Sequence, residues 1–164
     1  MAEDIFALIN HMSKEIVTFR DSNAAVLFKK TEKVEKFDRS LAILADKMGE
    51  IMEKADGLGL AAPQVNSKLA VCLVKNGKKI VVFCNPKILD YSSEKDIMEE
   101  GCLSFPDIFL QVPRARSISI EYKDLKGKKK KIEAEGIFAR AIQHEVDHLS
   151  GIVFTNRAGN KLIF

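Results

Sequence analysis

The stretch Gln143-His144-Glu145-Val146-Asp147-His148 decides the fold. It lies within residues 137–149, which read as a helix closed by Gly151. Histidines at i and i+4 leave one helical face together, close enough to share a metal ion at ordinary ligand distances. The glutamate beside the first histidine can reach water on that metal without being a ligand, which makes it a proton shuttle. Such a pair also arises by chance on solvated helices, but here two of only three histidines in the chain fall on the spacing.

Two histidines need a third ligand. The H-E-x-x-H-x-x-G-x-x-H arrangement would require histidine at 154, where Phe154 stands, and no glutamate follows Glu145. The third ligand therefore lies upstream, as His11, a cysteine or a carboxylate. Cys72 and Cys84 sit in the apolar runs Ala70-Val71-Cys72-Leu73-Val74 and Val81-Val82-Phe83-Cys84, where a thiol behaves as a small core residue. Cys102 sits in Glu99-Glu100-Gly101-Cys102-Leu103-Ser104-Phe105-Pro106, a polar, turn-flanked setting from which a thiolate can reach inward. His11 stays an alternative, although no other site-like residue surrounds it. A Cys-His-His set with an open fourth position is a catalytic geometry rather than a structural one.

Working outward, residues 1–20 carry Ile5, Phe6, Leu8, Ile9, Met12, Ile16 and Phe19 at spacings that suit one helical face. Asp38 is placed to cap a helix running to about Ala55, with Leu41, Leu44, Met48, Ile51 and Met52 as its core stripe and Gly57 and Gly59 as its stop. From Leu69 the pattern becomes β: residues 69–74 and 80–84 flank Asn76-Gly77, a strong hairpin signal. Residues 117–123 alternate, with Ile118, Ile120 and Tyr122 on one face, and residues 128–134 return after a turn at 124–127. Lys126 and Lys128 to Lys131 put a dense positive cluster on that second hairpin, ordinarily a solvated face. Between Gly57 and Gln64, two glycines and two alanines (Gly57, Gly59, Ala61 and Ala62) let a ligand backbone lie close against the chain. The expectation is one α+β domain spanning residues 1–164.

Composition narrows the function classes. A chain of 164 residues with 46% apolar and 30% charged residues is globular, and buries enough surface to need no disulfides. No apolar run approaches a membrane span of roughly 20 residues, which predicts no membrane partner. The first ten residues carry Glu3 and Asp4 and no basic residue, unlike a secretory signal, so the expected location is the cytoplasm. A net charge of +3 does not by itself imply nucleic acid.

Taken jointly, three segments resemble the peptide deformylase family: Gly57-Leu58-Gly59-Leu60-Ala61-Ala62-Pro63-Gln64, Glu100-Gly101-Cys102-Leu103-Ser104, and Gln143 through Gly151. The resemblance covers roughly residues 34–156. It implies antiparallel β-sheets packed around a central helix that carries the H-E-x-x-H motif. It further implies removal of the formyl group from the N-terminal formyl-methionine of newly made polypeptides, releasing formate. Cys102, His144 and His148 would bind one divalent metal, iron(II) in the native enzyme with zinc as the alternative. Glu145 would carry the proton, while Gln64 and the backbone N–H of Leu103 would hold the oxyanion. Leu58, Gly59, Gly101, Ile137 and Ala141 would contact substrate. Glu100, Gln143, Asp147 and Arg114 would support the ligands from behind, Asp147 by pairing with Arg114. Where the family often reads P-x-L-R, this chain reads Ala25-Val26-Leu27-Phe28.

Two rival readings accompany this one. A metallopeptidase shares H-E-x-x-H, but the absent downstream ligand and the presence of Cys102 argue against it. A ribosome- or RNA-binding module built on residues 126–131 lacks interleaved aromatics. That hairpin is instead a candidate for transient ribosome contact alongside the enzymatic function.

Overall fold

The computed structural model describes residues 15–158. Its elements run β1 (Gly59–Ala61), β2 (Val71–Asn76), β3 (Lys79–Tyr91), β4 (Lys95–Cys102), β5 (Phe105–Ala115), β6 (Ser117–Lys123) and β7 (Lys129–Glu135). The helices are α1 (Arg39–Lys54), α2 (Gly136–Leu149) and the single turn α3 (Phe154–Arg157). Strands β1-β2-β3-β6-β7 form one antiparallel sheet in that order, and β4 pairs with β5 as a separate two-stranded sheet.

Helix α1 starts where the Asp38 carboxylate accepts hydrogen bonds from the backbone N–H groups of Ser40 and Leu41. Its stripe of Leu41, Leu44, Ala45, Met48 and Met52 is buried. The stripe packs on Val71, Leu73 and Cys84 of the large sheet. The alternate residues Cys72, Val74 and Phe83 face the other way, onto Ala139, Ile142 and Leu149 of α2. Strand β2 is therefore covered on both faces. That is why its sequence is continuously apolar rather than alternating.

Helix α2 thus lies against the five-stranded sheet, while β4–β5 closes over its far side. A third apolar cluster of Phe105, Val112, Val153 and Phe154 joins that small sheet to α3. This α+β arrangement around the H-E-x-x-H helix agrees with the sequence reading, and so do the hairpin at Gly77 and the pairing of β6 with β7.

Three details differ from expectation. The part of the N-terminal helical reading that falls within the described residues, 15–20, is not helical; residues 1–14, including His11, lie outside them. Val17 and Phe19 instead donate backbone hydrogen bonds to the carbonyls of Gln64 and Ser104, so the segment braces the loops beside Cys102. Helix α1 ends not on a glycine but on Asp56, which takes the left-handed conformation (φ 54°). Strands β4 and β5 had no counterpart in the sequence reading. Where the family pattern has P-x-L-R, Ala24–Phe28 forms a short 3-10 turn that buries Leu27.

Candidate active site

Helix α2 projects His144 and His148 from one face, with ring centroids 5.1 Å apart. Cys102 ends β4, where the register slips: Gly101 faces Phe109, but Cys102 faces Phe105, and residues 106–108 bulge away. The chain turns there and presents the thiol to the helix. Cys102 Sγ lies 3.3 Å from His148 Nε2. The ligand atoms of Cys102, His144 and His148 all fall within 4.8 Å of one another. His144 Nδ1 is engaged by Glu100 Oε2 at 3.1 Å, which leaves Nε2 for a metal. One thiol and two imidazoles suit iron(II) or zinc rather than calcium or magnesium.

The electrostatics fit a cation at this point. Burial opposes a charge on His144, yet hydrogen bonds to Cys102 and Glu100, with the Glu145 charge nearby, outweigh it and hold the imidazole up at about 10. A divalent cation would answer the same negative surroundings and would take the place of that proton. Burial and the nearby His144 push His148 the other way, toward the neutral form in which imidazole binds metal. Glu145 is only 5% exposed. Burial pushes its carboxyl up to about 7. Among the described residues, its Oε2 and His148 Nδ1 are buried without a hydrogen-bond partner.

Gln64 closes the other side. Its Oε1 accepts from the Ala61 N–H. That fixes its Nε2 3.1 Å from Ser104 Oγ and 3.7 Å from Cys102 Sγ. Its amide donor is therefore oriented beside the thiol.

Behind the ligands runs a buried ionic network. Glu100 accepts from Arg114 at 3.0 and 3.1 Å, with Oε1 also taking Arg140 at 2.5 Å. Burial would raise the Glu100 carboxyl, but His144 and Arg114 dominate and hold it down at about 2. Arg114 reaches on to Asp147, which Arg157 also grips at 3.0 and 2.6 Å. Gln143 bonds both the N–H and the carbonyl of Ala115, tying α2 to the end of β5.

A cleft of about 550 Å³ opens in front of the thiol and Glu145, lined in part by Leu58, Gly59, Gly101, Leu103, Ile137 and Ala141. All five residues expected to contact substrate therefore lie on it, as do Gln64, Cys102, His144 and Glu145. Arg114, Gln143 and Asp147 stand behind the helix face rather than on the cleft. Sequence reasoning missed Ser104, Arg140 and Arg157. A signal for Arg140 was present: it sits one turn before His144, on an otherwise buried face, where a cation demands a carboxylate partner.

A family model described as polypeptide deformylase matches residues 13–162. A peptide deformylase of Prochlorococcus marinus is 38% identical over 142 residues, covering 84% of this chain and 70% of that protein. One from Rhizobium meliloti is 44% identical over 126 residues, covering 74% and 72%. The crystal structure of peptide deformylase from Thermotoga maritima superposes with a TM-score of 0.85 at 39% identity, covering 92% of this chain and all of that one. Fold and relatives together define a metal-dependent hydrolase. The chain belongs to the polypeptide deformylase family. Its reaction is removal of the N-terminal formyl group from newly made polypeptides.

Proposed function

We propose that Cys102, His144 and His148 hold one divalent metal ion, iron(II) in the native enzyme with zinc as the substitute, and that Glu145 moves the proton. The observation that carries this is the convergence of the three donors beside the buried Glu145 carboxylate at the floor of the cleft. Bound there, the cation supplies Lewis acidity for hydrolysis of the formyl amide.

The chain's own residues then account for the rest. Glu145 takes a proton from the attacking water and delivers it to the amine nitrogen as the bond to the formyl carbon breaks. With a pKa near neutrality it serves in both directions. Gln64 Nε2 and the Leu103 N–H donate to the oxygen of the former carbonyl as it gains charge. Gly59 offers its backbone to an extended peptide, and Leu58, Gly101, Ile137 and Ala141 enclose the methionine side chain and its neighbours. Formate and a free amino terminus leave.

This work falls to one catalytic domain, acting in the cytoplasm. No helix among the described residues is long and apolar enough to cross a membrane. Lys129 Nζ and Lys130 Nζ stand 4.0 and 3.9 Å from carboxylate oxygens of Glu121 and Asp124, long and exposed pairs that leave the cluster positively charged. Ribosome contact through that hairpin rests on its charge alone and is tested by salt-dependent co-sedimentation.

The central test measures metal content after anaerobic purification and formate release on the same sample, for wild type and Glu145→Gln. The variant should keep its metal and lose turnover by at least ~100-fold. Near-wild-type turnover would overturn the assignment.

A further inference from the structure

Arg140 stands apart from the roles above. It is 7% exposed, lies on α2 one turn before His144, and lines the cleft. Its guanidinium makes three bonds to three parts of the site. Nη1 donates to Glu100 Oε1 at 2.5 Å and to the Val112 carbonyl of β5 at 3.0 Å. Nη2 donates to the Asp96 carbonyl of β4 at 2.6 Å. One side chain thus grips both strands of the small sheet and the carboxylate that orients His144.

Other bonds also join the small sheet to α2: Arg114 to Asp147, Glu100 to His144, and Gln143 to the Ala115 backbone. Arg140 differs in holding both strands and Glu100 at once. Among the described residues the small sheet shares no strand pairing with the five-stranded sheet. Its apolar anchorage is the Phe105–Val112 cluster against Val153 and Phe154. Its other edge is the outer wall of the cleft, where Met98 and Phe109 are 40% and 64% exposed. Phe109 lies across Gly101, so close that a Cβ there would stand 2.8 Å from the ring. A shift of this wall relative to α2 moves the surface met by substrate residues beyond the first. Through Glu100, the same shift tilts His144.

We propose that Arg140 is a positioning residue that locks the β4–β5 wall and Glu100 to α2, so that one guanidinium sets both the orientation of His144 and the fit of the outer cleft to peptide beyond the formyl-methionine. The second half rests on the reading of the cleft as the formyl-peptide site; the first does not. A fork of three acceptors in fixed directions is what a planar guanidinium satisfies and an ammonium does not.

The experiment compares Arg140→Met, Arg140→Lys and, as a control just past the end of β5, Arg116→Met, whose exposed guanidinium pairs with Glu94 and Asp96. Two quantities are read: the zinc dissociation constant by chelator competition, and the KM ratio between a formylated tetrapeptide and formyl-Met-Ala. Arg140→Met should weaken zinc by about tenfold, as loss of a group supporting a ligand does. It should also raise KM for the tetrapeptide more than for the dipeptide. Arg140→Lys should recover part of the zinc affinity through Glu100 but not the KM ratio, and Arg116→Met should change neither. A folded Arg140→Met protein with wild-type zinc affinity and an unchanged KM ratio overturns the proposal. If Arg140→Met does not fold, wild-type values of both quantities in Arg140→Lys do the same. Weakened zinc with an unchanged ratio overturns the claim on the cleft and leaves the claim on His144 supported. If wild type releases no formate from either peptide, the formyl-peptide reading fails, while the zinc comparison still decides the claim on His144.

Discussion

Gly59 and Glu145 are in contact across the cleft floor: a Cβ on Gly59 would stand 2.5 Å from Glu145 Oε1 and 2.8 Å from its Cγ. The glycine is needed here for its missing side chain and not for a turn, since its φ is not positive. Gly59→Ala should therefore push the Glu145 carboxylate off its position while the three ligands stay in place. The expected result is full metal content with kcat reduced by about 100-fold, comparable to losing the proton shuttle itself. Wild-type kcat in Gly59→Ala would show that Glu145 has room the structure denies it.

The cysteines separate by neighbourhood. Cys102→Ser replaces a thiolate by a poor donor, so metal occupancy and activity should fall together. Cys72 and Cys84 are fully buried in opposite apolar layers of the large sheet. Serine there buries a hydroxyl at a cost of about 1–3 kcal/mol and should leave the metal bound. Denaturant melts and metal analysis on the three variants check this. Metal retained in Cys102→Ser and lost in either of the others reverses the ligand assignment.

Arg114 serves two buried carboxylates, Glu100 and Asp147. Arg114→Met should cost about 3 kcal/mol, the lower end for a broken buried pair, because Arg140 and Arg157 still reach the same carboxylates. Urea unfolding gives the number. A loss within error of zero would mean that the other two arginines suffice.

The cap of α1 carries a pH dependence of known sign. Burial works against the Asp38 carboxylate, but the N–H groups of Ser40 and Leu41 and the nearby Lys36 charge dominate and lower its pKa below 3.8. A group depressed in the folded state stabilises it above the unfolded value and loses that contribution as pH falls through the folded value. Wild type should thus exceed Asp38→Ala in thermal midpoint at neutral pH and converge with it in acid. Asp38→Asn, whose amide oxygen caps without titrating, should keep its margin over alanine at both. Equal acid sensitivity of the asparagine and aspartate proteins would remove Asp38 as the source.

Periodicity made α1, α2 and the two hairpins of the large sheet legible, because each has one pattern that burial imposes. The small sheet was hidden for a physical reason. Its residues Ile97, Met98 and Phe109 are exposed, so no alternation of apolar and polar residues marks it, and Glu100 is buried where pattern predicts exposure. The ligand-bearing residues stood out because their chemistry is rare in helices and turns. Arg157 did not, since an arginine in a helix is ordinarily a surface residue; Arg140 was marked only by its place one turn before His144, and only the fold brings Glu100 and Asp147 to the two of them. Gly57 and Gly59 were read as a helix stop; the stop is Asp56.

The thiol of Cys102 belongs to the small sheet, and both imidazoles belong to α2. A cation held by all three is a crosslink between two pieces of the molecule that share no backbone ladder, and its binding energy counts partly as cohesion of the chain. Loss of the metal should then be felt as local loosening before it is felt as global unfolding. After chelation, amide hydrogens of residues 97–110 should exchange faster while those of β2 and β3 keep their protection. Unchanged exchange in residues 97–110 would mean that Arg114, Arg140 and Gln143 fasten the sheet unaided. In the first case, starving the protein of metal also opens its most exposed strands to proteases, so that metal supply governs how long each molecule survives as well as whether it works.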